Sequence, residues 1–91
     1  MEVVHVPERS RYELRDGEVV LGRAEYVQRG DVVDVHHTEI VPARRGSGLG
    51  AVLVGGVLDH VRASGRAVIP TCWFVAEFLD ANPDYGDLRH R

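Results

Sequence analysis

The residues best suited to chemistry fall in two short stretches of this chain. In the first, His36-His37-Thr38-Glu39 runs directly into IVPARRGSGLGA, bringing imidazoles, a carboxylate, two arginines and three alternate glycines close together. In the second, Val68-Ile69-Pro70-Thr71-Cys72 ends on the sole cysteine. Residues 44–50, Arg-Arg-Gly-Ser-Gly-Leu-Gly, lie between a β-branched run and an apolar one, and that is a recipe for holding an anion. The first amides of a helix have no internal partners, the helix dipole places partial positive charge there, and glycine leaves no Cβ in the way of an approaching oxygen. Arg44 and Arg45 add charge. The competing account is a flexible loop with solvated arginines; alternate glycines at a strand-to-helix junction favour the anion.

His37, Glu39 and Cys72 are the candidates for proton transfer or nucleophilic attack. Histidine titrates near neutrality and suits base work, although a strand histidine also serves as a structural hydrogen-bonder. Glu39 shares a strand face with His37 by the period of two, while His36 and Thr38 take the other face; a solvated carboxylate is its alternative role. Cys72 follows Pro70-Thr71 at the expected first turn of a helix, with Thr71 available as N-cap, and amide dipoles there favour a thiolate. A cysteine packed under Trp73 and Phe74 is the alternative. His5, His60 and His90 lack ligand-spaced partners, and His36 and His37 point to opposite faces, so no metal site is expected. Trp73, Phe74, Phe78 and Tyr85 read as core or groove wall.

These residues need elements to position them. A short edge segment, Glu2 to Val6, is ended by Pro7. Tyr12 and Leu14 alternate with charged neighbours up to Asp16-Gly17, read as the two-residue turn of a hairpin. Residues 18–28 form a second strand with Val19, Leu21 and Val27 on one face and Val20, Ala24 and Tyr26 on the other, so it is expected to be covered on much of both sides. Arg29-Gly30 turns the chain into a strand over residues 31–41. After Gly46 the period changes: Leu49, Val52, Leu53, Val57, Leu58 and Val61 recur at helical spacing until Ser64-Gly65 stops the helix. Gly55-Gly56 weakens this helix by roughly 1 kcal/mol per glycine, which implies close packing against an unnamed neighbour. Ala67 to Ile69 form a short buried strand, and Trp73 to Ala81 a last helix that Asn82-Pro83 closes.

Composition sets bounds on the whole. Ninety-one residues make one domain with a modest core, residues 1–91 forming a single unit without a linker. A net charge of −3 gives no global field for nucleic acid, and no apolar run approaches a membrane span, so neither partner is expected. With no secretory signal legible, a cytoplasmic location and a monomer or weak homodimer are the expectations.

Three families compete for the glycine turn. The P-loop requires a lysine, and the chain has none. The dinucleotide fingerprint is matched literally by Gly46, Gly48 and Ala51, but residues 68–72 offer no acid, and antiparallel strands precede the turn. Arg45-x-x-Gly48-x-Gly50, after a strand and opening an apolar helix, resembles the acetyl-CoA signature of the GNAT N-acetyltransferase superfamily. Residues 36–85 resemble its short single-domain members that carry a cysteine beyond the last strand, with Trp73 standing where a proline is expected.

The resemblance implies a minimal α+β fold: an antiparallel meander, a helix, a splayed short strand and a C-terminal helix. It implies acetyl-CoA as cofactor, its pyrophosphate on residues 45–51 (Arg45, Gly46, Ser47, Gly48, Leu49, Gly50 and Ala51) beside Arg44, with the glycines giving clearance. The pantetheine arm would run past main-chain groups near Ile40 and Val41, and an amide at a bulge of that strand would polarise the thioester. Tight turns at Asp16-Gly17 and Arg29-Gly30 leave no room for the extra helices of longer members, so the acceptor site is expected to be open, suiting a small amine or a peptide or protein amine. A non-catalytic CoA-binding adaptor is the alternative.

Overall fold

The computed structural model describes residues 1–90. Five strands form one sheet in the order β1-β2-β3-β4-β5: β1 (Glu2–Val6), β2 (Arg11–Asp16), β3 (Val19–Arg29), β4 (Val32–Ile40) and β5 (Ala67–Ile69). The first four pair antiparallel, while β5 lies parallel to β4. A parallel neighbour requires a crossover, and α1 (Leu49–Ala63) supplies it. A second helix, α2 (Trp73–Ala81), follows β5, and a 3-10 segment (Pro83–Leu88) closes the chain. This is the mixed α+β fold expected from the order of elements. Among the described residues no helix is long and apolar enough to cross a membrane.

Both hairpin turns fall one residue later than the sequence suggested. Asp16 and Arg29 are the last residues of their strands, paired with Val19 and Val32, and the loops are Gly17-Glu18 and Gly30-Asp31. Glycine occupies the first loop position in each, at φ +60°, and the second does not need a positive φ. The expectation that β3 is covered on both sides is also corrected. Val19, Val20 and Val27 are exposed, and the buried residues Leu21, Gly22, Ala24 and Tyr26 do not follow one period of two. Leu21 is an extra residue opposite the Leu14–Arg15 step of β2, and this bulge brings it onto the same covered face as Ala24 and Tyr26.

The core lies between that face and α1, which buries Leu53, Val54, Val57, Leu58 and Val61 against Tyr12, Leu14, Ala24, Val33 and Val35. At about 1.5–3 kcal/mol for each fully buried aliphatic side chain, this packing outweighs the roughly 1 kcal/mol that each helical glycine costs. The neighbours of the glycine pair are now identified. A Cβ on Gly56 would stand 2.7 Å from Val3 Cβ on β1, whereas one on Gly55 would meet Phe78 at an ordinary 3.8 Å. Gly56 is therefore required by the close approach of α1 to the edge strand, and Gly55 is not.

The opposite face of the sheet carries charge: Arg11, Glu13 and Arg15 on β2, Arg23 and Glu25 on β3, His37 and Glu39 on β4. Glu13 is only 4% exposed, clasped by Arg11 and Arg15 at 2.6 Å each. Burial pulls its carboxyl up, but the hydrogen bond from Arg15, larger still, and that from Arg11 hold it below the ordinary value.

Candidate functional site

The cleft begins where two strands part. β4 and β5 pair only from Val32–Ala67 to Asp34–Ile69, and the last link across the gap is Cys72 N–H donating to Val35 C=O at 2.9 Å. Beyond this point β4 bends away through a bulge: Glu25 opposes His37 and Tyr26 opposes Val35, leaving His36 without a cross-strand partner. The opening is a cleft of about 800 Å³ between β4, the start of α1 and the start of α2. It is lined by His36–Ile40, Arg44–Gly46, Gly48–Ala51, Leu53 and Thr71–Phe74. Most of the residues singled out in the sequence converge on it; Val41 and Ser47 do not.

One end of the cleft gathers open backbone amides and positive charge. Gly48 is the N-cap of α1 with no side-chain cap, so the amides of the first turn stay open until Val52 N–H reaches Gly48 C=O at 3.4 Å. Gly46 and Gly48 have φ of +79° and +80°, left-handed values that cost other residues roughly 1–2 kcal/mol. A Cβ added to either would meet nothing within 4 Å, so these two glycines set the loop's shape and leave its backbone accessible. Gly50 differs from the expectation of clearance. Its hypothetical Cβ would lie 2.7 Å from Phe74 Cζ, so its lack of a side chain seats Phe74 against α1. Arg44 and Arg45 are exposed at this end, and Arg45 Nε donates to Ile40 C=O at 3.0 Å.

Main-chain groups expected to serve as a rail at Ile40 and Val41 already have partners within the protein. Val41 N–H donates to Leu21 C=O at 2.9 Å and its carbonyl accepts from Arg44 N–H at 2.9 Å, while the Ile40 carbonyl is taken by Arg45. Ser47 is exposed, its hydroxyl donating to Arg44 C=O. The cleft-facing part of β4 is therefore residues 36–40.

The other end holds a thiol. Cys72 is itself the N-cap of α2, correcting the assignment of that place to Thr71, whose hydroxyl donates to Asp34 and ties the turn to β4. Cys72 is 9% exposed and its Sγ lies 3.5 Å from Thr38 Oγ1. Burial alone would push the thiol up. The Thr38 hydrogen bond and the amides of Val75, Phe74 and Thr38 together outweigh it, and the thiol sits below its ordinary value.

The bulge at His36 puts Thr38 beside Cys72 and sends His37 and Glu39 to the charged face. There His37 Nε2 lies 3.2 Å from Glu39 Oε1, and Arg23 approaches the same carboxylate at 3.3 Å. The His37 hydrogen bond, then the Arg23 charge, hold Glu39 below the ordinary carboxylate value. Cys72 and the His37–Glu39 pair thus border one cleft from opposite faces of β4.

A family model described as GCN5-related N-acetyl-transferase matches residues 11–88. The chain belongs to this GCN5-related N-acetyltransferase family. Among its relatives is protein NATD1 of Bos taurus, 37% identical over 59 residues that cover 65% of this chain and 51% of that protein. Protein NATD1 of Danio rerio is 31% identical over 88 residues, covering 91% of this chain and 77% of its own. The match to the bovine protein thus spans about half its length. The NMR structure of a GCN5-like protein from Staphylococcus aureus superposes with a TM-score of 0.73 at 21% identity, covering 98% of this chain and 87% of that one, a likeness of fold.

For this member of the GCN5-related N-acetyltransferase family, sequence reasoning missed Thr38 as the partner of Cys72, and left Trp73 and Phe74 unplaced between core and groove wall; both line the cleft. It also separated His5 from His60. Folding brings these rings to 4.7 Å, with His5 Nε2 2.6 Å from Tyr26 OH and His60 Nδ1 2.7 Å from Tyr12 OH. Among the described residues no metal-binding trio of side chains forms.

Proposed function

We propose that the chain, acting as one minimal domain, binds acetyl-CoA along the cleft and transfers its acetyl group to an amine. The observation that carries this reading is the polarity of the cleft. One end offers uncapped helix amides, bare glycine backbone and two arginines, and the other holds a buried thiol shifted toward thiolate. These residues fit a ligand that is a phosphate anion at one end and a thioester at the other. When bound, acyl-CoA supplies an acyl group activated for attack.

The chain's own residues then divide the work. Arg44, Arg45 and the amides of residues 46–51 hold the phosphates. The Thr38 amide, directed toward Sγ, is the donor placed at the reactive end. His37, with Glu39 beside it, takes the proton from the attacking amine on the solvent side of β4. The lowered thiol favours a specific role for Cys72: its thiolate attacks the thioester carbonyl and takes the acyl group as the bond to the CoA sulfur breaks and that sulfur leaves as thiolate; the amine then displaces Sγ, which returns to thiolate while His37 takes the amine's proton. The open charged face next to His37 suits a small amine or a peptide or protein amine.

Calorimetric titration with CoA and ATP, on the wild type and on Gly48→Asn, tests the binding half. Asparagine tolerates the left-handed backbone of residue 48, so the variant keeps its fold while its side chain enters the phosphate end. We expect CoA affinity to fall at least about tenfold; undiminished affinity in a folded variant places the phosphates elsewhere. Intact mass after incubation with acetyl-CoA tests the thiol. With no lysine in the chain, an acetyl adduct that disappears in Cys72→Ala identifies the thioester. Tight CoA binding with no transfer to any amine would make the chain a CoA-binding adaptor.

A further inference from the structure

Trp73 is an anomaly of the fold. It is 70% exposed, the highest value among the large apolar side chains of the described residues. The inward side of α2 is already filled by Val75 and Leu79, with Phe74 and Phe78 packed against the core cluster, so the indole adds nothing to the core. An aromatic side chain left in water on the wall of a cleft is free to pack on a ligand seated there.

Its surroundings indicate which part of a ligand. Trp73 directly follows Cys72, whose thiol marks the reactive end. Its ring stands edge-on to Phe74, centroids 5.8 Å apart at 76°, and Phe74 presses on the first turn of α1 at Gly50. The two rings therefore form a continuous apolar layer between the anion end and Cys72, and all three parts line one cleft. A ligand joining phosphates at residues 46–51 to a thioester at Cys72 has to carry its connecting arm across that layer.

We infer that Trp73 is a binding residue whose indole covers the pantetheine arm of the ligand, an inference that rests on the CoA reading above. The cleft then distinguishes ligands by that arm: CoA and 4′-phosphopantetheine engage the indole, and 3′,5′-ADP, which lacks the arm, does not. Trp73 is the only tryptophan, so its emission reports contact directly.

The test combines calorimetry with tryptophan fluorescence. At saturation by CoA, and by 4′-phosphopantetheine, the emission should shift or quench; at saturation by 3′,5′-ADP it should not. Trp73→Ala should weaken CoA roughly tenfold, the size of one good aromatic contact, while leaving 3′,5′-ADP affinity unchanged and Trp73→Phe close to wild type. Being exposed, the side chain can be removed without loss of fold. Heat of binding with CoA but silent emission, or equal losses for CoA and 3′,5′-ADP in Trp73→Ala, overturns the inference and leaves the cofactor reading standing. No heat with CoA in the wild type overturns both.

Discussion

Replacing Thr38 by valine deletes one hydroxyl next to Cys72 and keeps a β-branched side chain suited to its strand. A hydrogen bond to a charged acceptor contributes about 1.5–3 kcal/mol. The Thr38–Cys72 contact is long at 3.5 Å and other amides share the sulfur, so about 1 kcal/mol is the appropriate loss. That lowers the thiolate population roughly fivefold at any pH below the thiol's midpoint. The surviving thiolate is more basic and hence more nucleophilic, with a Brønsted coefficient of about 0.4–0.5, which restores roughly twofold. Exchange with a small aromatic disulfide should therefore slow about two- to threefold on the acid side and quicken about twofold once ionisation is complete, the two profiles crossing. Cys72 is the single cysteine, so stopped-flow release of the chromophore reads it alone. Thr38→Ser, which keeps the hydroxyl, should follow the wild type. Profiles displaced equally at every pH would mean altered access, and superimposable ones no stabilisation; either result refutes the role assigned to Thr38.

The adjacent glycines of α1 should respond with opposite signs. Gly55→Ala should stabilise by about 1 kcal/mol in urea unfolding, the helix-propensity gain, because its Cβ meets only Phe78 at 3.8 Å. Gly56→Ala should be net destabilising by up to about 2 kcal/mol, since overpacking on Val3 exceeds that gain, and adding Val3→Ala should relieve it; a shared sign would contradict the packing described. Stability should also fall as pH drops below 6.5. Burial, then the charges of His60 and Arg66, depress His5 against the opposing effect of Glu8, so the unfolded chain takes up its proton first and the stabilisation is complete only above the ordinary value of 6.5. Thermal midpoints between about pH 7.5 and 5 should flatten in His5→Phe, which keeps a ring on Tyr12 but cannot titrate; an unchanged slope would place the titration elsewhere.

Much of the fold was legible because it rests on local chemistry. Pro7, Ser64-Gly65 and Asn82-Pro83 end elements through their own backbone constraints, and the C-terminal limits of β1, α1 and α2 follow from them. The switch from strand to helical period after Gly46 placed the uncapped start of α1, and the turn itself carried the family resemblance. The expected two-sided burial of β3 failed because a period of two holds only within an unbroken register. The bulge at Leu21 resets that period, and such bulges accept ordinary residues.

The sequence by itself determined the order of elements, the glycine-arginine turn with its open amides, and the lone cysteine after the short strand. These are properties of neighbours along the chain. Tertiary structure decided which groups meet. The His36 bulge gives Thr38 to Cys72 across 34 positions and sends His37 and Glu39 to the other face. Phe74 presses on Gly50, converting an expected clearance into a packing seat and leaving Trp73 over the cleft. His60 meets Tyr12 across 48 positions. Each of these contacts depends on register and close packing between distant segments, and neither leaves a mark in residue type or spacing.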